Sequence, residues 1–342
     1  MQKMSSHMSS NYNSTSSVQL SVVLTSKSYI DEAIENLSLN NSLILIVDYG
    51  SAHGLNSSQA MNMIVNSLKE KSKISENHSI LVIHNDLPNN DWFSLFNILN
   101  SNSTSYFALG SGKSFYEQCF PSHSISIGYS SSSLHWLSKQ PCQLRNHCCS
   151  AYLLENDPDY LQFAQQSYED YSQFLKYRSN ELIQGGILIL SIPSWHKHSD
   201  LVDNSSFMHI NLLYQCAQYY LTSEELLHFT IPIHVRFFHQ CVDDELFQKY
   251  SLRLIKCEHV VIQSNLLEQL NQGQINVEQF AHQRALIMKT WTNVSLENAL
   301  KGNQERKEIT NHIWTMYEDK IKEQPQLHNN PMQSTYIILK KI

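Results

Sequence analysis

Charge is what this chain has least of. Asp, Glu, Lys and Arg make up only 16% of its 342 residues, with Ser, Asn, Gln and His in their place. Glycine and proline are also scarce, at 9 and 8 residues, which argues against a chain of low-complexity loops. No cluster of Lys and Arg stands out, and a net charge of −7 leaves no basic face for a phosphate backbone, so no nucleic-acid partner is expected. No apolar run has the length of a bilayer span; the longest, Leu43 to Val47 and Ile187 to Ile192, are strand-sized, and no membrane partner is expected either. The stretch Met1 to Ser17 is Ser-rich without an apolar centre, so it does not read as a secretory signal, and a cytoplasmic location is expected. The 7 cysteines are odd in number and scattered, which fits reduced thiols, and the adjacent triplet His147, Cys148, Cys149 lacks metal-ligand spacing, so no metal is expected.

What is present is enough apolar sequence, 42%, for a sizeable core. Leu43 to Asp48 and Ile80 to His84 are short, β-branched runs with an amphipathic stretch, Ser58 to Lys71, between them: strand, helix, strand. Further strands are expected at Tyr106 to Leu109, Ser124 to Tyr129, Ile187 to Ile192, Leu254 to Ile262 and Thr335 to Leu339, with a helix over Asp159 to Gln184. This alternation predicts an α/β fold, a parallel sheet covered by helices on both faces. The helix-rich interval Val277 to Glu323 before the final strand makes an antiparallel closing strand the expected arrangement. The segment Phe207 to Arg284, interrupted at Pro232, reads as extra structure laid over the sheet, where ligands bind beyond the strands' carboxyl ends.

Two places carry chemistry. The first strand runs into Asp48-Tyr-Gly50-Ser-Ala-His-Gly54-Leu-Asn56, and a helix is expected to open at Ser57 or Ser58. Two glycines allow a sharp turn and a close ligand approach, while a helix N-terminus offers unpaired N–H groups. A nucleotide-like cofactor is implied. The dinucleotide pattern G-x-G-x-x-G is not met, so a nicotinamide or flavin is disfavoured. At the end of the second strand, Asn85-Asp86-Leu87-Pro88 places a carboxylate beside that loop, able to accept both ribose hydroxyls; Asp91 is free to cap the next helix instead.

The run Asn85-Asp-Leu-Pro-Asn-Asn-Asp-Trp-Phe resembles the N-D-L-P-x-N-D-F segment of the SABATH methyltransferases, which include salicylate, benzoate and jasmonate carboxyl methyltransferases and caffeine-pathway N-methyltransferases. Ser114-Phe-Tyr-Glu-Gln-Cys-Phe-Pro121 is similar to that family's S-F-Y-x-R-L-F-P, and Ser130-Ser-Ser-Ser-Leu-His-Trp-Leu-Ser138 to its S-S-Y-S-L-x-W-L-S. Tyr12-Asn-Ser-Thr-Ser16-Ser-Val-Gln19 resembles Y-x-x-N-S-x-x-Q, and Gly185-Gly186 resembles the G-G-R-M-V-L turn. The runs stand in family order and spacing from Tyr12 to about Pro193.

The resemblance implies a Rossmann-like class I methyltransferase: a mostly parallel seven-stranded sheet with an antiparallel last strand and a helical cap. Its expected division is an N-terminal lid segment over 1–20, a cofactor-binding core over 21–200 and 251–342, and a cap over 201–250. The implied cofactor is S-adenosylmethionine. Tyr12 and Ser16 would close over its methionine end, Asp48, Gly50 and Asn56 would line its amino and carboxylate groups, and Asp86 would hold the ribose. Leu87, Ser114 and Phe115 would flank the adenine, and Ser130 is assigned to the same site. The implied substrate is a small-molecule carboxylic acid held by Gln19 and Trp136, neutral donors that orient the anion without neutralising it. Ser132 and His135 are placed in the substrate pocket, where His135 either hydrogen-bonds the substrate or points into a satisfied core. A homodimer is implied by the family alone, with no apolar stripe in the sequence to mark its face.

Several residues depart from the pattern. Ser132 replaces a tyrosine, Tyr129 a histidine, Ser9 and Ser10 stand near a missing Gly-Gly pair, and Thr230 replaces the asparagine of F-N-x-P, which puts the metal of some members in doubt. The alternatives left open are N-methylation of a small heterocycle, which the Gln19–Trp136 pair disfavours, and an inactive ligand-binding relative.

Overall fold

A computed structural model of the protein describes residues 12–39, 42–75, 77–101, 105–196, 208–328 and 331–342. The β-branched and aliphatic runs form β1 (Leu43–Tyr49), β2 (Ser79–Asp86), β3 (Phe107–Gly112), β4 (Ile125–Ser131) and β5 (Leu182–Trp195), followed by the short β6 (Arg236–Phe237), then β7 (Leu252–Ile262) and β8 (Met332–Lys341). Seven strands lie in the order β3-β2-β1-β4-β5-β8-β7, and β6 adds beside β5. Pairing is parallel from β3 to β5, and β8 runs antiparallel to both β5 and β7. The expected closing strand is thus present. Strand order reverses between β1 and β4, where Asp48 pairs with Tyr129, so their carboxyl ends open a crevice at the switch point.

Alternation along the strands divides the core. Ile44 and Ile46 face the helices Ser17–Thr25, Lys27–Asn36 and Leu55–Glu70, while Val47 and Tyr49 face the helix Pro158–Glu181. Each fully buried aliphatic side chain there contributes about 1.5–3 kcal/mol. A third cluster lies apart, joining Leu213, Tyr214 and Phe229 to Phe280, Leu296 and Trp314. The layer of helices away from the sheet faces therefore draws on both the 208–228 stretch and the long helices Val277–Ala299 and Arg306–Glu323. By contrast Cys241, Leu246 and Phe247, from the stretch after Pro232, pack with the sheet.

Some boundaries differ from the sequence expectation. The helix expected to reach Gln184 ends at Glu181, because Leu182 is already extended (φ −66°, ψ 138°) and begins β5. Gly185 sits at φ +81° with Ser38 packed against it, a close approach that only glycine allows. The helix expected at Ser57 or Ser58 starts at Leu55, with Gly54 at its N-cap, so Asn56 lies in its first turn. β3 is displaced toward Gly112 from the expected Tyr106 to Leu109. Ser9, Ser10 and Phe207 lie outside the described residues. Among the described residues no helix is long and apolar enough to cross a membrane.

Candidate active site

The glycine loop is shaped by contact. Gly50 has φ +104°, and a Cβ there would fall 2.1 Å from Ser133 Oγ, so any side chain is excluded by both backbone and neighbour. The N-terminal segment is stapled to the same loop: Asn13 Nδ2 donates to His53 O at 3.0 Å, and Leu55 N donates to Asn13 Oδ1 at 3.3 Å. That brings Tyr12 and Ser16 over β1, with Asn56 Nδ2 donating to Ser16 Oγ at 3.1 Å. Asn13 was not singled out in the sequence, although it lies inside the Tyr12 run.

At the tip of β2, Asp86 is fixed by its backbone. Ala52 N donates to one carboxylate oxygen at 2.7 Å and Leu87 N to the other at 2.8 Å. Burial pushes its pKa up, and those two donors work against the shift. Asp91 is occupied as expected, accepting from Ser94 N at 3.0 Å. Asp48 ends β1 in deeper burial, which pushes its carboxyl up to about 7 against a lowering hydrogen bond from Ser57 and with Asp86 adding repulsion.

Phe115 is positioned by a buried ion pair. Arg178 Nη1 donates to Phe115 O at 2.6 Å and Nη2 to Glu117 O at 2.9 Å, while Arg178 Nε meets Glu181 at 2.9 Å. Glu181 also accepts from Tyr49 Oη at 2.8 Å and from Phe120 N at 3.0 Å. One fully buried pair thus ties the Ser114 loop to the end of β1. The i,i+3 spacing of Arg178 and Glu181 on a helix allows such a pair but does not mark its burial or its hold on the Ser114 loop.

Trp136 is held from two sides. It bridges Ile233 in antiparallel fashion, and Tyr116 Oη donates to its carbonyl at 2.6 Å. His135 lies beside it, buried, with desolvation first and Arg236 second pulling its pKa down to about 3, so the ring is neutral. Its Nδ1 has no partner.

These side chains open onto connected space. A compartment of about 110 Å³ takes Gly50, Asp86, Leu87, Ser114 and Phe115 in its wall. A second, of about 160 Å³, takes Gln19, His135 and a mostly apolar set that includes Ile210 and Ile233. Tyr12, Ser132 and Trp136 line both, and a small recess lined by Tyr12, Gln19, Asp48, Gly50 and Asn56 adjoins them. Asp86, Gln19 and Trp136 therefore face adjoining spaces that share Tyr12 in their walls. Ser130 is the exception: its hydroxyl is spent on Tyr49 O at 2.8 Å, while Ser131, on the other face of β4, and Ser132 and Ser133, just beyond the strand's end, line the walls.

Polar atoms left without partners concentrate here. Among the described residues, buried side-chain atoms of Gln19, Ser51, Asn56, Ser132, His135, Arg284 and Gln333 have none, and all seven residues line the three spaces. Folded proteins pair such atoms, so their clustering fits a site that completes its hydrogen bonds with ligand. Acceptors and hydroxyls beside Asp48 and Asp86, with Phe115 nearby, suit an amino acid joined to a nucleoside. The donor set of the larger space suits an anion. Helices over Val277 to Glu323 are expected from the sequence, but not that the first of them, Val277–Ala299, supplies Arg284, Ile287, Met288 and Trp291 to that space.

The mostly parallel sheet with one reversed strand, β8, set between β5 and β7, and its site at the switch point define a methyltransferase-type α/β fold. A solved loganic acid methyltransferase with SAH superposes with a TM-score of 0.80 at 22% identity, covering 96% of each chain. Over residues 1–342 the sequence matches the family described as SAM dependent carboxyl methyltransferase, and the chain belongs to it. Similar relatives include the loganic acid O-methyltransferase of Catharanthus roseus, 34% identical over 202 residues, which are 54% of each chain. A benzoic acid/salicylic acid carboxyl methyltransferase of Petunia hybrida is 34% identical over 200 residues, 54% of this chain and 56% of that one. The chain spans about half the length of the curated relatives it matches.

Proposed function

We propose that the protein transfers a methyl group from S-adenosylmethionine to the carboxylate of a small-molecule acid, releasing a methyl ester. The observation that supports this most is that the space lined by Asp86 adjoins the space lined by Gln19, with Tyr12 and Trp136 in the walls of both. When bound, S-adenosylmethionine supplies a methyl group made electrophilic by its sulfonium. In this reading Asp48 and Asn56 take the amino-acid end, Asp86 takes the ribose hydroxyls, and Leu87 and Phe115 flank the base with Ser114 at its polar edge. Tyr12 and Ser16 close the methionine end, and Tyr12 separates the two compartments.

Gln19 and Trp136 donate to the acid. The Gln19 amide, its oxygen unpaired, turns about its last torsion to present N–H to an anion. A carboxylic acid is ionised at neutral pH, given a reference pKa of about 4, so no general base is required. Placement is what remains, and well-oriented reactants gain about 7–11 kcal/mol from it. His135 is neutral and the walls are mostly apolar, so among the described lining residues Arg284 is the one that carries a charge. In this reading residues 208–233 together with the helices Val277–Ala299 and Arg306–Glu323 form the cap, and the described part of the N-terminal segment, 12–20, the lid. A cytoplasmic location is supported by seven free thiols; a homodimer is supported by the family resemblance alone, and sedimentation tests it.

Incubation with methyl-labelled cofactor and a panel of aromatic, isoprenoid and aliphatic acids, with a purine as comparator, tests the activity. The expected product is an alkali-labile ester. Label on the purine alone supports N-methylation, and cofactor binding with no transfer supports a binding protein.

A further inference from the structure

Arg284 is a buried cation with no anion beside it among the described residues. It is 5% exposed, and among the described residues its electrostatic neighbours are His209, His328 and Tyr317. Burial pulls both histidines down and the Tyr317 phenol up, so all three are neutral at pH 7. A guanidinium has donors only; His209 Nε2 therefore accepts from Arg284, and its Nδ1–H faces Tyr317 Oη at 3.0 Å. The Arg284 Nε–H remains buried and unpaired, on the wall of the larger compartment, where Gln333 Oε1 is unpaired as well. Taking such a charge out of water is costly unless a counter-charge meets it.

The helix supplies a ruler. Ile287, Met288 and Trp291 follow Arg284 at three, four and seven residues and line the same space, so all four share one helix face. Trp291 packs edge-on against Trp136, ring centres 6.5 Å apart. At 1.5 Å per residue, Arg284 lies about 10 Å along the axis from that contact, beyond an apolar stretch.

We propose that Arg284 anchors a second carboxylate, at the far end of an elongated dicarboxylic acid whose other carboxylate accepts the methyl group between Gln19 and Trp136. This rests on the carboxyl methyltransferase reading. In the reaction a C–O bond forms and the S–CH3 bond breaks, its electron pair returning to sulfur; no proton moves, and the second carboxylate stays ionised. The product is a half-ester. It is not methylated again, because its remaining carboxylate would have to leave Arg284 and give that place to an uncharged ester.

Suberic, azelaic and sebacic acids, each compared with the monocarboxylic acid of equal chain length, test this with methyl-labelled cofactor. The expected kcat/KM for the best diacid exceeds its monoacid by about tenfold or more, as a charge-assisted pair supplies. The product is half-ester only, and Arg284→Gln abolishes the preference while Arg284→Lys keeps part of it. Calorimetry with S-adenosylhomocysteine establishes that each variant is folded. A wild-type enzyme without diacid preference, or a preference that survives in Arg284→Gln, overturns the assignment. If no acid of either kind is methylated, the activity reading fails, and the subsite is then decided by melting in the presence of S-adenosylhomocysteine. There the diacid must raise the Tm of the wild type above the rise with the monoacid, and must not do so for Arg284→Gln; equal rises overturn it.

Discussion

In the proposed cofactor site Asp48 should make cofactor affinity depend on pH. Its carboxyl sits at about 7 in the free protein, raised chiefly by burial. With the ammonium of the cofactor's amino-acid end on the carboxylate form, binding should lower this pKa, and affinity should rise with pH up to about 7 and level off above it. At about pH 6 roughly a tenth of Asp48 is ionised and at about pH 5 roughly a hundredth, so affinity falls about tenfold, or about 1.4 kcal/mol, per unit of acidification. His84 and His135, held at about 4 and about 3, stay neutral across this window. Calorimetric titration of S-adenosylhomocysteine between about pH 5 and 7.5 reads the slope, and Asp48→Asn should flatten it. A flat wild-type profile refutes the role given to Asp48. A slope that persists in Asp48→Asn assigns the proton elsewhere, Asp86 being the next raised carboxyl.

Gly50→Ala should cost about 1–2 kcal/mol from its backbone alone and more from Ser133, and should weaken S-adenosylhomocysteine binding. Gly273→Ala, at φ +68° with nothing within 4 Å, should show only the backbone cost in thermal melts, and equal losses would refute the close-approach argument. Gln19→Glu sets a carboxylate against the substrate anion, so kcat/KM for acids should fall by about a hundredfold or more with cofactor affinity nearly kept, checked by initial rates and calorimetry. Asp86→Ala should weaken cofactor binding more than Trp136→Ala, while Trp136→Ala should raise KM for the acid; equal effects of the two on both quantities would contradict the separation of roles.

The strands and the cofactor end were legible because both leave short-range marks. β1 and β2 read as β-branched runs, and Asp86 follows from where β2 must end beside the glycine loop. Boundaries were less so: nothing local shows that Leu182 is extended rather than a last helical turn. Ser130 was misplaced because a motif gives neighbours without saying which face of β4 each occupies. Arg284 was missed since an amphipathic helix declares a buried face but not what it is buried against. The signal that could have found it is an arginine within the spacing of Ile287, Met288 and Trp291, a charge on an apolar stripe.

One measurement bears most directly on the adjoining spaces: inter-ligand nuclear Overhauser effects in a solution of the protein with S-adenosylhomocysteine and a carboxylic acid that it binds. Contacts between the acid and the homocysteine methylenes, lost in Trp136→Ala, are the predicted result. Simultaneous binding of both ligands with no contact between them would place the acid elsewhere and contradict the account.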